Sequence, residues 1–436
     1  MEQDDLYELI ENEGIRLTSE MAIYPSDENF VFEENAMKSA LANRKDFKLV
    51  KFERAEIDEE DREFILQKYQ VEVEYQEVDF HLDLMVFVNY DRDLDEFQLG
   101  NRISDEEREA YLQQNYFLET SQYFSDDYLD SYHLQLKVMQ AIVEKPSVVF
   151  DYMPMRILSG KWVEITSKSH IPPAPSYLYV IHSVYEGEDD NRSYWLHTHG
   201  LHRCNAVELE FLNIKNGAQQ FFDVLNIVAT SFLTSDSKKS ENEVFDVGYD
   251  GLGLSFCWQR WEKSVMQFLP NILGGLNERN PQEENYGPSG VLFAVQEDEM
   301  VSPEIYAKTL ADNPLYFISD AETERMTAMA YDRFQSFKRI FKEKYNFMNE
   351  DEEDAWSFLV KLGIEVDEGE GREHLWFEVT HIDELDNITG ILLNQPYWIE
   401  ALKKDDVKTY SLDFLTDWVI YGSETNYTPD TIYELI

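Results

Sequence analysis

Apolar and polar positions alternate most regularly between Val71 and Asn89, where the chain reads VEVEYQEVDFHLDLMVFVN. A period of two rich in Val, Tyr and Phe predicts a pair of strands joined by a tight turn. Met21–Tyr24 and Phe47–Arg54 are predicted as shorter strands, with a helix between them over Asn29–Asn43. Ser104 opens S-D-E-E-R-E, and Glu107 stands three residues on, which is a capping-box start for a helix. A second helix is predicted over Ser131–Val143, ending before Pro146.

Beyond Pro146 the pattern becomes strand-rich. Val148–Tyr152, Tyr177–Tyr185, Tyr194–Thr198 and Val207–Ile214 are predicted strands, and EGEDDN is the turn between the second and third. IPPAPS, Ile171–Ser176, is a rigid connector, because proline fixes φ and rules out a helix. Apolar positions at Phe221, Phe222, Leu225, Val228 and Phe232 predict an amphipathic helix over Ala218–Leu233. Leu252–Trp258 and Val291–Val295 complete an antiparallel sheet. Further on, helices are predicted over Ala321–Lys344 and Asp354–Leu362, and VDEGEGRE is a solvated loop. Strands follow over Leu375–Val379, Ile388–Leu393 and Val407–Ile420. No repeat and no low-complexity tract interrupts this order. The expected class is α+β, with antiparallel sheets, covering helices and a small C-terminal β unit. A chain of 436 residues exceeds what one core serves, and three units are expected. They are an α/β unit over 1–145, a central sheet over 146–300, and helices with a β module over 301–436.

Composition adds a core and an electric field. The chain has 27 Phe, 26 Tyr and 8 Trp, enough apolar surface to offset the entropy of ordering it. The formal net charge is −50. Residues 1–150 carry 37 acidic and 14 basic side chains, residues 151–300 carry 21 and 11, and residues 301–436 carry 29 and 12. Nucleic acid and anionic membranes need clustered Lys and Arg, so this balance argues against both. It would attract a basic protein partner, although solubility alone accounts for the charge and is the preferred reading of it taken by itself. Cys204 and Cys257 are too few for a disulfide framework and suit a reducing compartment. The start, MEQDDLYELIENEG, lacks the basic and apolar regions of a signal peptide, and no run of apolar residues is long enough to span a bilayer. A cytoplasmic location is the expectation.

Candidate chemistry concentrates in YWLHTHGLHRCNAVELE, Tyr194–Glu210, where His197, His199 and His202 stand within six residues. On a strand His197 and His199 share a face. Gly200 permits a bend that could gather His202, Arg203, Cys204, Glu208 and Glu210 into one polar site. Imidazole, thiolate and carboxylate all bind zinc, which makes His197, His199 and His202 candidate metal ligands. Packing of these histidines at a sheet edge, or a polar pocket without metal, would account for the same residues. His197 with Glu208 would form an acid/base pair if the two met. Asp91, Asp93 and Asp95 start like a calcium loop, but Glu96 and Arg102 stand where it needs Gly and Glu, leaving a solvated acidic turn. No phosphate-binding loop, dinucleotide fingerprint or nucleophile elbow is present. Gly251 and Gly253 read as turn residues, and Cys257 beside Trp258 reads as a core thiol. Trp376, Tyr397, Trp398 and Trp418 are expected in the core or rim of the last unit, with Tyr397–Trp398 as the alternative recognition face.

MRILSGKW (Met155–Trp162), PPAPSYLYVIHSVY (Pro172–Tyr185) and YWLHTHGLHRCNAVELE resemble an uncharacterised bacterial family, domain of unknown function 4026. The C-terminal stretch resembles domain of unknown function 2314, through Trp376, then Gly390, Leu392, Asn394 and Pro396, then Asp417 and Trp418. It departs from that pattern at Lys404-Asp405, where Gly-Asp is expected. Neither family carries a known reaction. Related modules are similar to proteins near toxin–immunity loci, which implies a binding role by association. The leading expectation is therefore a non-enzymatic, immunity-like protein for a basic partner. Its alternative is a metal- or acid/base-dependent enzyme centred on HTHGLHRC.

Overall fold

The computed structural model describes Tyr7 and residues 17–90, 98–188, 191–233, 238–248, 253–279, 288–312, 320–344, 356–367, 371–422 and 425–436. Asp91, Asp93, Asp95 and Gly251 lie outside them, as does the middle of VDEGEGRE. The chain divides into two units, Met1–Ser167 with Pro173–Phe317, and Lys168–Pro172 with Ile318–Ile436. The class is α+β.

The first unit holds two sheets. One comprises β1 (Ser19–Pro25), β2 (Lys48–Arg54), β3 (Ile65–Tyr75), β4 (Val78–Val88), β5 (Gln98–Leu99), β6 (Tyr116–Gln122), β7 (Pro146–Asp151) and β8 (Arg156–Ser159). Their order is β2-β3-β4-β6-β1-β7-β8-β5. The predicted hairpin is β3–β4, with Tyr75 opposite Val78. Gln76 and Glu77 turn it with φ of 50° and 65°, the two-residue geometry that matches the strand twist. Helix α1 (Glu34–Ala42) begins later than Asn29, because the Asn29 amide donates to Asp27 Oδ1 (2.9 Å) and closes a turn there. Helix α2 (Asp105–Gln113) carries the predicted capping box. Its Glu107 amide donates to Ser104 Oγ (3.2 Å), and the Ser104 amide donates to Glu107 Oε2 (2.8 Å). Helix α3 (Tyr128–Ile142) is buried almost along its whole length. Gln135 from α3 donates to the carbonyls of Ser19 (2.9 Å) and Thr120 (3.2 Å), so the helix is tied to the sheet by polar as well as apolar contacts. Helix α4 (Gly160–Lys168) follows β8.

The second sheet comprises β9 (Val180–Glu186), β10 (Ser193–His199), β11 (Glu208–Ile214), β12 (Phe245–Val247), β13 (Leu254–Arg260), β14 (Ser289–Gln296) and β15 (Glu299–Val301). The order is β12-β13-β14-β11-β10-β9, and β15 also pairs with β14. Helix α5 (Ala218–Phe232) covers one face with Phe221, Val224, Leu225, Val228 and Phe232. The expected all-antiparallel pairing fails at one joint of this sheet, as it does at β5–β8 in the first. β11 and β14 run parallel, Glu208 opposite Ser289, because α5, β12 and β13 intervene and bring the chain back in the same direction.

The second unit has β16 (Ser357–Glu365), β17 (Arg372–Ile382), β18 (Ile388–Leu392), β19 (Val407–Tyr410), β20 (Leu415–Tyr421) and β21 (Asn426–Tyr427) in the order β19-β18-β17-β16-β20-β21. Three sequence expectations are corrected here, the first being the single strand over Val407–Ile420, which is β19 and β20 parted by a helical turn at Leu412–Phe414. Ser357–Glu365 is a strand, not part of a helix over Asp354–Leu362. Phe358, Val360, Leu362 and Ile364 face inward with a period of two, and both neighbours pair with it. The single helix over Ala321–Lys344 is two, α6 (Asp320–Asp332) and α7 (Phe334–Lys344). The break at Arg333 lets α7 bury its own face, Phe334, Phe337, Ile340 and Phe341. Trp418 seals this core, its ring 5.1 Å from Phe337 and its Nε1 donating to the Ala330 carbonyl (2.9 Å). At the Lys404-Asp405 turn the positive φ falls on Asp405, at 72°. Among the described residues, no helix is long and apolar enough to cross a membrane.

Candidate metal centre

Alternation along β10 puts Trp195, His197 and His199 on one face and Leu196 and Thr198 on the other, buried one. The antiparallel partner β9 places His182 directly opposite His197. Three imidazoles from two strands therefore meet, with one ring nitrogen from each lying within 4.8 Å of the others. Ring centroids are 5.3 Å apart for His182–His197, 4.7 Å for His182–His199 and 4.9 Å for His197–His199. His182 Nε2 and His197 Nδ1 are buried and have no hydrogen-bond partner among the described residues. An unsatisfied buried polar atom costs about 1–3 kcal/mol, so the cluster carries spare coordinating capacity at a price in stability.

Electrostatics keep these rings neutral. Burial, then His199 and Arg156, push His182 down to about 4 against the pull of Glu208. Burial, then His199, His182 and Arg279, push His197 down to about 2. His199 is lowered too, chiefly by burial. Neutral imidazole presents the lone pair that a metal needs.

One wall of the cluster is Trp195, stacked on His197 with centroids 4.0 Å apart. Its Nε1 donates to Glu210 Oε2 (2.7 Å), and Glu210 stands directly opposite His197 on β11. Glu210 also pairs with the Arg279 guanidinium and accepts from Ser289 Oγ (2.7 Å). Gly274 lies against the indole so closely that a Cβ there would stand 2.5 Å from Trp195 Cδ2. The indole is thus held from its edge and its outer face.

Gly200, φ 113°, turns the chain sharply after His199, and a Cβ there would meet the Leu178 carbonyl oxygen at 2.5 Å. The bend sends His202 and Arg203 away from the cluster. The His202 ring donates from Nε2 to the Pro288 carbonyl (2.8 Å). Glu208 is spent on structure, accepting from Thr198 Oγ1 (2.6 Å) and from the amides of Gly200 (2.7 Å) and His202 (3.4 Å). Arg203 is wholly buried and forms a two-pronged pair with Asp151 of β7, at 2.7 and 2.9 Å. It also donates to the Leu178 carbonyl (2.8 Å) and so joins the two sheets of the first unit. Burial pushes the Cys204 thiol up to about 12 despite Arg203 and Lys238, and among the described residues it is not part of the group of His182, His197 and His199. Cys257 is likewise raised to about 11 by burial.

Residues 19–173 match the N-terminal part of a protein family of unknown function, DUF4026, and residues 181–293 match its C-terminal part. The chain belongs to the DUF4026 family. Residues 320–435 match a second group, DUF2314, uncharacterized and conserved in bacteria. Comparison with curated proteins and with solved structures gives no match.

All three histidines of the cluster fall in the C-terminal DUF4026 part, whereas the Arg203–Asp151 pair spans both parts. Of the residues singled out from the sequence, the structure brings His197 and His199 together, with Glu210 behind them. It adds His182, Trp195 and Arg279. His182 had a readable signal, since counting outward from the EGEDDN turn pairs it with His197. Arg279 had none, lying far along the chain in an irregular segment.

Proposed function

We propose that this DUF4026 protein holds a divalent late first-row metal, zinc foremost, on His182, His197 and His199. The observation that carries the reading is the convergence of three neutral imidazoles, two of them with buried nitrogens that no other described residue satisfies. Imidazole suits zinc and its neighbours rather than calcium or magnesium. A tetrahedral centre with metal–nitrogen bonds of about 2.0–2.1 Å needs ligand nitrogens roughly 3.4 Å apart. The rings close from 4.8 Å or less by small side-chain rotations. Three protein ligands are also the number that catalytic zinc centres keep, with a fourth position open to water or an anion.

Full-length protein made without a histidine tag, stripped of metal and titrated with Co2+, should develop visible d–d absorption with an endpoint at about one equivalent, which Zn2+ then displaces. Absence of both the bands and any heat with Co2+ or Zn2+ would remove the centre. Glu210→Gln loosens the clamp on Trp195 and should weaken the metal by roughly tenfold, the usual effect of an outer-shell partner. An unchanged affinity would mean that the indole clamp has no part in the centre.

A second reading concerns the surface. We propose that the acidic exterior takes a basic protein partner in the manner of an immunity protein, in the cytoplasm. The net charge of −50 and two buried free thiols support it. Such a complex weakens steeply with salt.

A further inference from the structure

The second unit presents two large aromatic side chains to water at one turn. All eight tryptophans of the chain fall within the described residues, and Trp398, 69% accessible, is the exposed one. Its neighbour Tyr397 is 87% accessible. Neither ring stacks on another ring or carries a cation among the described residues. Exposed rings on a loose loop would mean little, but this turn is fixed. Pro396, Ile399 and Leu402 point inward and are buried. The amides of Tyr397 and Trp398 donate to the two oxygens of Glu373, at 2.8 and 2.9 Å. The Asp367 amide donates to the Trp398 carbonyl (3.0 Å), and Asp367 Oδ2 accepts from the Glu400 amide (2.6 Å). The pair is therefore preorganised, which lowers the entropy lost on binding.

The carboxylates that build the turn also set its field. Asp367 and Glu373 hold it through their side-chain oxygens, Glu400 is an exposed acid within it, and residues 318–436 carry 27 acidic against 11 basic side chains. Lys403 and Lys404 follow the turn closely in sequence, and Arg372 lies across the opposite face of β17 over Gly363, so the acidic excess of this unit rather than a cation-free surround sets the field. Exposed aromatic faces in a unit with an acidic excess attract a guanidinium twice over, by the ring quadrupole and by charge.

We infer that the Tyr397–Trp398 turn is the docking surface for an arginine-bearing segment of a cationic protein. This deepens the basic-partner reading and rests on it. Tyr, Trp and Arg are the residues that dominate interface energetics, and the first two are supplied here already fixed.

The test uses the full chain and a hexa-arginine peptide at low salt, with hexaglutamate as control. Binding should be saturable and should shift the Trp398 indole N–H resonance, assigned with Trp398→Phe. Trp398→Ala and Tyr397→Ala should each weaken it by about tenfold. Both positions are exposed, so thermal midpoints should hold, and Trp398→Phe should keep most of the affinity. Salt-sensitive binding that ignores both substitutions would overturn the docking surface and leave the basic-partner reading standing. No binding of hexa-arginine at all would overturn both.

Discussion

Asp151→Ala should destabilise the first unit by roughly 3–5 kcal/mol, the usual cost of leaving a buried charge without its partner. Arg203 and Asp151 are both fully buried, and the guanidinium has no water to turn to. Its Nε already lacks a hydrogen-bond partner, so removal of the carboxylate leaves the group held by Ser19 Oγ (3.1 Å), the Tyr177 and Leu178 carbonyls, and the faces of Tyr132 and Phe124. Replacing both partners, Asp151→Leu with Arg203→Met, removes the charges while filling the space and should recover most of the loss. A chain of two units need not unfold in one step, so amide exchange in β7 and β10 is the measurement that isolates this unit. A cost below about 1 kcal/mol for Asp151→Ala would show that the pair is not what fastens the two sheets.

Alanine at His182, His197 or His199 should lower zinc affinity by at least about 100-fold, more than the loss of any outer-shell group. His202→Ala should leave it unchanged, because that ring is bonded to the Pro288 carbonyl outside the cluster. Equal losses at His202 and His197 would mean that the turn rearranges to a different ligand set. The pH behaviour separates the site from an ordinary histidine cluster. His182 at about 4 and His197 at about 2 are already unprotonated at pH 6–8, since burial disfavours their charged forms. Zinc then displaces no proton from them, whereas imidazoles near 6.5 would release a substantial fraction at pH 6. At pH 6, calorimetry in two buffers of different ionisation enthalpy should show less proton release than three imidazoles near 6.5 would give.

Local chemistry was legible wherever the chain decides its own geometry. The β3–β4 hairpin follows from strict alternation, and the Ser104 cap from two side chains three residues apart. Ser357–Glu365 was not legible, because SFLVKLGIE is apolar enough to satisfy either period, and only pairing with β17 and β20 decides. The parallel β11–β14 joint is a property of long-range return, invisible to any window. At the site, His197 and His199 came from period two on one strand. His202 was grouped with them by sequence distance, yet Gly200 turns it away. His182 stands farther off in sequence and is nearer in space, because cross-strand register rather than spacing sets who meets whom.

Among the described residues β9 is an outermost strand of its sheet, so half of its backbone groups face outward with no described strand to pair with. His182 sits near its inner end, bound by register to His197 on the strand within. An ion gripped by both would act as a rivet through this margin of the sheet, holding down an edge strand that could otherwise peel off or recruit a foreign strand. Metal occupancy would then govern how sticky that border is, as well as what chemistry happens on it.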